Sequence, residues 1–285
     1  MATQLGSELG TYGVWRGAWQ TDTAFAAEVE RLGYGALWLG GSPDGELRLV
    51  DELLAATSAL RIATGIVNVW KDPADVVAAA FTRIESNYPG RFVLGVGIGH
   101  PEATAEYRSP YATLVEYVDR LAELGVPLER VVLAALGPRV LRLAAERTGG
   151  AHPYLTTPEH TRAARELIGA GTLLAPEQKV VVTDAPGPTP ESRAVARPPV
   201  EKPYLSLVNY RSNLVRLGWA EADLDNGGSD ALIDALVVQG DAAAVARGVD
   251  AHLDAGADHV TIQVVGGGAL RALAALAPAL GLDAV

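Results

Sequence analysis

Arg61-Ile62-Ala63-Thr64-Gly65-Ile66-Val67 is followed by an amphipathic stretch that Pro73 opens and that runs to about Ser86. Pro89-Gly90 then leads into Phe92-Val93-Leu94-Gly95-Val96-Gly97-Ile98. The two outer phrases are apolar on both faces and bounded by turn residues, as strands buried under helices are. They form a β–α–β unit, whose strands run parallel. The same step recurs upstream: a strand over Leu9 to Val14, then a helix from about Asp22 to Leu32. Asp22 or Thr21 is its N-cap and Gly33 its C′ residue. The strand Ala36 to Leu39 and a helix near Leu47 to Ser58 complete that half. Downstream come a helix from Pro110 to Leu124 and the strand Arg130 to Ala135. A helix from Pro138 to Arg147 follows, then the strand Ala151 to Leu155 and a helix from Pro158 to Ile168. The strands Gln178 to Thr183 and His259 to Val265 make eight, more than a doubly wound sheet usually carries. The pattern predicts an α/β fold, a (β/α)8 TIM barrel. The 285 residues suit one such barrel as a single domain, 1–285.

One segment interrupts the alternation. Between Asp184 and Pro203 stand Pro186, Pro188, Pro190, Pro198, Pro199 and Pro203. Such a density of proline argues against a regular helix or a central strand, so the segment reads as a loop inserted at about 184–203.

Composition excludes several classes. With 23 Lys and Arg against 34 Asp and Glu, the net charge is −11, which argues against a nucleic-acid-binding surface. There is no cysteine, hence no disulfide, thiolate metal site or thiol nucleophile. Met1 to Gly10 lack a charged segment followed by an apolar one, and no apolar run approaches membrane-spanning length. A cytoplasmic protein with no membrane partner is expected. The histidines His100, His152, His160, His252 and His259 show neither H-x-H nor H-E-x-x-H spacing, and no G-x-S-x-G elbow occurs. A metal hydrolase or serine hydrolase is not expected.

In a barrel the chemistry sits at the C-terminal ends of the strands. Gly95-Val96-Gly97-Ile98-Gly99-His100-Pro101-Glu102 occupies one such end. It is not the dinucleotide fingerprint, because no glycine stands at the sixth position and Pro101 disfavours immediate helix entry. Its alternate glycines remove side chains from one face, against which a flat ring could press, or they merely taper the barrel interior. His100 follows at the rim, where an imidazole exchanges a proton near neutral pH or simply bonds the backbone. Gly65 inside a β-branched run signals a bulge or a close backbone approach. Trp15, Trp38 and Trp70 fall at or just past strand ends, as an aromatic wall or as ordinary packing. Two turns could cradle an anion: Ala134-Ala135-Leu136-Gly137-Pro138-Arg139, and Gly266-Gly267-Gly268.

Taken together, these segments resemble the bacterial luciferase-like monooxygenase superfamily, particularly its branch of oxidoreductases that use the deazaflavin coenzyme F420. The phrases that carry the resemblance are Arg61-Ile62-Ala63-Thr64-Gly65-Ile66, Pro89-Gly90-Arg91-Phe92-Val93-Leu94-Gly95-Val96-Gly97-Ile98-Gly99 and Gly137-Pro138-Arg139-Val140-Leu141-Arg142-Leu143-Ala144-Ala145-Glu146. Ala255-Gly256-Ala257-Asp258-His259-Val260, before the last strand, also fits, so the likeness spans nearly the whole chain.

The resemblance implies a flavin or deazaflavin across the barrel mouth and a non-prolyl cis peptide at Gly65–Ile66. It implies a cofactor-binding set of Trp15, Trp38, Gly65, Ile66, Val67, Gly97, Ile98, Gly99, Ala135, Leu136, Gly137, Pro138 and Arg139. His100 becomes the candidate proton donor, and no metal is implied. The implied activity is hydride transfer between coenzyme F420 and a small organic substrate. The alternatives are an FMN-dependent monooxygenase and a non-catalytic barrel that serves as a cofactor-binding or partner subunit. Relatives often pair, so a homodimer is expected. One departure follows the second strand, where some deazaflavin enzymes carry an Asp-His pair and this chain reads Leu39-Gly40-Gly41-Ser42.

Overall fold

The computed structural model describes residues 3–99 and 109–284. The sheet consists entirely of parallel pairs. Its strands are β1 (Tyr12–Gly17), β2 (Ala36–Gly40), β3 (Arg61–Gly65), β4 (Val67–Asn68), β5 (Phe92–Gly97) and β6 (Val131–Leu133). They continue with β7 (Gly150–Ala151), β8 (Leu173–Leu174), β9 (Glu177–Val182), β10 (Val237–Gly240) and β11 (Val260–Val264). In space the order is β10-β9-β11-β1-β2-β3-β5-β6-β7-β8, with β4 on β5.

The ring closes through one continuous stretch, β8 to β9, bent at Pro176. On one side Ala175 N bonds Ala151 O and Glu177 N bonds Pro153 O, both at 2.9 Å. On the other, Leu174 O accepts from Asp258 N and Pro176 O from Thr261 N, also at 2.9 Å. The eightfold barrel read from the sequence is therefore present. Its third strand is split at the bulge into β3 and β4, its seventh is split at Pro176, and β10 is added beside β9.

Side chains alternate across each strand. Val14, Leu37, Leu39, Ile62, Phe92, Leu94 and Val96 pack outward against the helices. Trp15, Ala36, Trp38, Ala63, Val93 and Val132 fill the interior. The helices fall where the pattern placed them: α2 (Thr23–Arg31), α3 (Arg48–Ala55), α4 (Ala74–Asn87), α5 (Pro110–Glu123), α6 (Pro138–Arg147) and α7 (Pro158–Ile168). Asp22 caps α2, accepting from Phe25 N at 2.8 Å. After β10 come α12 (Ala242–Asp254) and α13 (Ala269–Ala279). Among the described residues no helix is long and apolar enough to cross a membrane.

Two expectations are corrected. The chain near Leu9 is not strand: α1 (Gln4–Leu9) starts at Thr3, whose hydroxyl accepts from Gly6 N at 3.0 Å, and Gly10 follows at φ +73°. Leu5 and Leu9 instead plug the interior beneath Ala36, Ala63 and Val132. The Pro-rich segment is not merely a loop. It forms α8 (Pro190–Ala196) and α9 (Pro198–Glu201) because the leading prolines sit in the first turn, where no donor is lost. Thr189 and Ser192 close a capping box on α8. The excursion continues through α10 (Val208–Arg216) and α11 (Asp230–Leu236) before β10. It builds its own apolar core from Ala196, Val200, Leu205, Leu214, Leu232 and Ile233 against Val181 of the barrel.

Candidate active site

The strand ends surround a cavity of about 650 Å³, within the range of small-molecule sites. Two arcs of the ring line it. The first comes from the ends of β3 to β6: Gly65, Ile66, Asn68, Ile98, Gly99 and Ala134 to Gly137. The second comes from the end of β7, the end of β11 and the excursion: His152, Tyr154, Gln263, Lys202, Tyr204 and Tyr210. Trp15, Trp19, Gly41 and Ser42 stand between them.

The first arc is built on backbone. The Gly65–Ile66 peptide is cis, as the resemblance implies. The alternate glycines of β5 serve the bulge beside them more than a ligand. A Cβ on Gly95 would lie 1.8 Å from Thr64 O, and one on Gly97 would lie 2.8 Å from Ala134 Cβ and 3.0 Å from Ile66 Cγ1. A Cβ on Gly99 would lie 2.5 Å from Asn68 Nδ2. Thr64 locks the pair, accepting from Gly95 N and donating to Gly95 O, both at 2.8 Å. The bulge itself is covered at Gly65, where a Cβ would lie 2.8 Å from Trp15 Nε1 and 3.1 Å from His152 Nε2. At the arc's far end Gly137, where a Cβ would meet no described residue within 4 Å, precedes the first turn of α6. That helix N-terminus offers backbone N–H groups and a partial positive charge to an anion. His160 Nε2 fixes the turn by donating to Leu136 O at 2.9 Å.

The second arc is aromatic and polar. Trp15, Tyr154, Tyr204 and Tyr210 follow one another with centroids 5.1, 5.3 and 4.9 Å apart. Beneath Tyr154 lies a buried ion pair, Lys179 Nζ to Glu177 Oε1 at 3.1 Å, with both side chains at 0% exposure. Burial pushes the Glu177 carboxyl up and the Lys179 ammonium down, and each partner's charge opposes the shift. Lys179 also sits 3.8 Å from the Tyr154 ring centroid and donates to Gln263 Oε1 at 3.2 Å. The same oxygen accepts from the Tyr154 hydroxyl at 2.9 Å. This network fixes the tyrosine that faces the cavity.

His152 has a defined tautomer. Its Nδ1 lies 2.7 Å from Ala175 O and must donate, leaving Nε2 as an acceptor. Burial lowers its pKa to about 4, so the ring is neutral at pH 7. His152 Nε2 and the donor Trp15 Nε1 are both buried without a hydrogen-bond partner, and both residues line the cavity. Both atoms close on Gly65, so an acceptor and a donor are held unpaired beneath the bulge.

The residues singled out from sequence divide as follows. Trp15, Gly65, Ile66, Ile98, Gly99, Ala135, Leu136 and Gly137 are brought together at the cavity. Trp38 is fully buried below it, stacked on His152 at 4.3 Å and donating to His259 Nε2 at 3.1 Å. Val67 points into the outer core, and Gly97 is covered by Ile66. Pro138 and Arg139 face solvent, the guanidinium lying 3.6 Å from the Tyr111 ring centroid. Trp70 packs against the outer core rather than joining an aromatic wall. His100 lies outside the described residues. The sequence reading missed His152, Tyr154, Gln263 and the excursion's tyrosines. The first three could have been found from the barrel rule, since each ends a strand. Nothing local marks Tyr204 or Tyr210.

Residues 1–259 match the model of a family described as luciferase-like monooxygenase. No curated protein matches the chain in sequence. Among solved structures, an F420-dependent secondary alcohol dehydrogenase, in complex with an F420–acetone adduct, superposes with a TM-score of 0.70 at 16% identity, over 95% of this chain and 98% of the other. A coenzyme F420-dependent tetrahydromethanopterin reductase from Methanopyrus kandleri gives 0.68 at 13%, over 96% and 99%. The oxygenating constituent of 3,6-diketocamphane monooxygenase from Pseudomonas putida, in complex with FMN, gives 0.68 at 15%, over 95% and 98%. At these identities the likeness speaks for the fold.

Proposed function

Since the chain belongs to the luciferase-like monooxygenase family, we propose that it is an oxidoreductase that binds coenzyme F420 in this cavity and acts on a small organic substrate. The observation that carries the reading is the first arc: the Gly65–Ile66 bulge, closely covered at Gly65 by Trp15 and His152, leading to the open Gly137 turn and the N-terminus of α6. It fits a flat ring followed by an anionic tail. Bound there, F420 supplies hydride chemistry at its deazaflavin ring. The chain's own part is to hold and orient. The Gly65–Ile66 bulge, held under Trp15 and His152, backs the ring, and the Gly137 turn receives the tail. Tyr154, fixed by Gln263 and Lys179, walls off the opposite side. His100, just past the first arc in sequence, is proposed as the proton donor.

A second reading, FMN in a monooxygenase, draws support from one feature. The described lining residues include a single cation, Lys202, a count that suits one terminal phosphate better than a polyanionic tail. Anaerobic mixing of the F420-loaded protein with secondary alcohols, and of the reduced form with ketones and enones, tests the first reading. Substrate-dependent change in the deazaflavin's visible absorbance is the expected result. Inertness towards every class, with oxygen-dependent turnover on FMN, would overturn it.

A further inference from the structure

The excursion between β9 and β10 does more than cover the barrel edge. Its residues Pro199, Lys202, Pro203, Tyr204, Asn209 and Tyr210 reach the cavity and face the bulge across it. Two tyrosines from this excursion continue the row that Trp15 and Tyr154 begin on the barrel, at 4.9 to 5.3 Å spacing. A fifth aromatic residue, Trp19, stands at the mouth with 73% of its surface exposed. A large apolar side chain left in water beside a cavity is the informative exception among surface residues. Glycines make its place: a Cβ on Gly41 would lie 1.8 Å from Trp19 Cζ3 and one on Gly17 2.8 Å from Cζ2.

The charge is equally selective. The chain holds 34 Asp and Glu, yet none is among the described residues lining the cavity, where Lys202 is the lone formal charge. The Lys179 ammonium, 3.8 Å from the Tyr154 centroid, is paired with Glu177 at 3.1 Å, so the layer beneath the wall adds no net charge. The Lys202 ammonium therefore sets the sign of the described lining and favours a neutral or anionic ligand over a cation.

We propose that this tyrosine wall is the substrate subsite and that it takes a planar aromatic substrate, neutral or anionic. The assignment rests on the reading that the cofactor occupies the opposite, backbone-lined arc. The rings pack on one another tilted or edge-on, and a flat π-system can extend that row with offset or edge-to-face contacts that a globular aliphatic ketone cannot reproduce.

Calorimetric titration, on the protein with and without bound cofactor, tests this with three probes. They are anthraquinone-2-sulfonate (planar, anionic), N-methylacridinium (planar, cationic) and camphor (aliphatic, globular). Anthraquinone-2-sulfonate is expected to bind at least about 10-fold tighter than the other two. Tyr204→Leu and Tyr210→Leu should each weaken it by about 10-fold, whereas Tyr210→Phe should retain it, and affinity for F420 and FMN should hold in all three. Equal or better binding of camphor, folded Leu variants with unchanged affinity, or mutual exclusion of probe and cofactor would each overturn the proposal. If a Leu variant does not fold, the ranking of the probes on the unaltered protein decides. Should neither cofactor bind while the probe ranking holds, the cofactor reading fails and the aromatic subsite stands.

Discussion

His152 donates from Nδ1 to the Ala175 carbonyl, so its neutral ring holds Nε2 as an acceptor against Gly65 of the bulge. His152→Phe keeps the stack on Trp38 and deletes that acceptor. It should weaken ligand binding by about 1 kcal/mol, and leave Ala175 O unpaired at a further stability cost of about 1–3 kcal/mol. Titration and urea unfolding read the two effects separately; unchanged affinity would remove His152 from the site. His100→Ala should lower turnover by about 10²- to 10⁴-fold, as loss of a general acid does, with cofactor affinity held. Loss of both together would make His100 a cofactor ligand instead, and unchanged turnover would return it to the structural histidines. At Gly95 the expected effect is steric. Alanine there meets Thr64 O, so Gly95→Ala should destabilise by about 3 kcal/mol or more and disturb the bulge. A variant as stable as the parent in thermal unfolding would contradict the close approach. The glycines of β5 were legible as special from sequence, but their partner was not. Spacing shows that side chains are missing from one face, whereas only folding shows that Ile66 and Asn68 fill the space.

At the scale of elements, β9 sets a buried ion pair into the barrel. Removing one partner leaves the other charge stranded, which typically costs 3–5 kcal/mol, whereas replacing both is far milder. Lys179→Met should therefore destabilise by about that amount, and adding Glu177→Gln should recover most of the loss. A double variant no better than the single one would mean that packing on Tyr154, not charge, dominates. The helices were readable because their signals are local: Asp22 as a cap, Pro138 and Pro158 in first turns, apolar spacing in between. The same prolines misled at 184–203, where their density suggested a loop and their positions permit α8 and α9. The short strands β8 and β10 escaped notice because two to four residues carry no periodicity. Tyr204 and Tyr210 escaped for another reason: they reach the cavity only through the tertiary placement of the excursion, which no window of sequence records.

Among the described residues four histidines are buried and burial lowers the pKa of each; for His152, His252 and His259 it falls to about 4, which leaves them neutral at pH 7. His252 accepts from the Thr161 hydroxyl at 2.7 Å and donates to Gln178 Oε1 at 2.8 Å, tying α12 to α7 and β9. His259 donates to Gly10 O and accepts from Trp38. The unfolded chain binds these protons near pH 6.5 and the folded chain only near pH 4. Stability is thus full above about pH 6.5 and falls as pH drops towards 4, by on the order of a few kcal/mol per histidine. Thermal unfolding should show the melting temperature declining steeply across that window, with a shallower slope in His252→Gln; a flat profile would contradict neutral burial. Titrating purified apoprotein with coenzyme F420 and with FMN side by side asks whether the barrel mouth holds a deazaflavin. Saturable F420 binding at micromolar concentration or below, tighter than FMN, is the predicted result. Micromolar FMN binding with none for F420, or no binding of either, would contradict it.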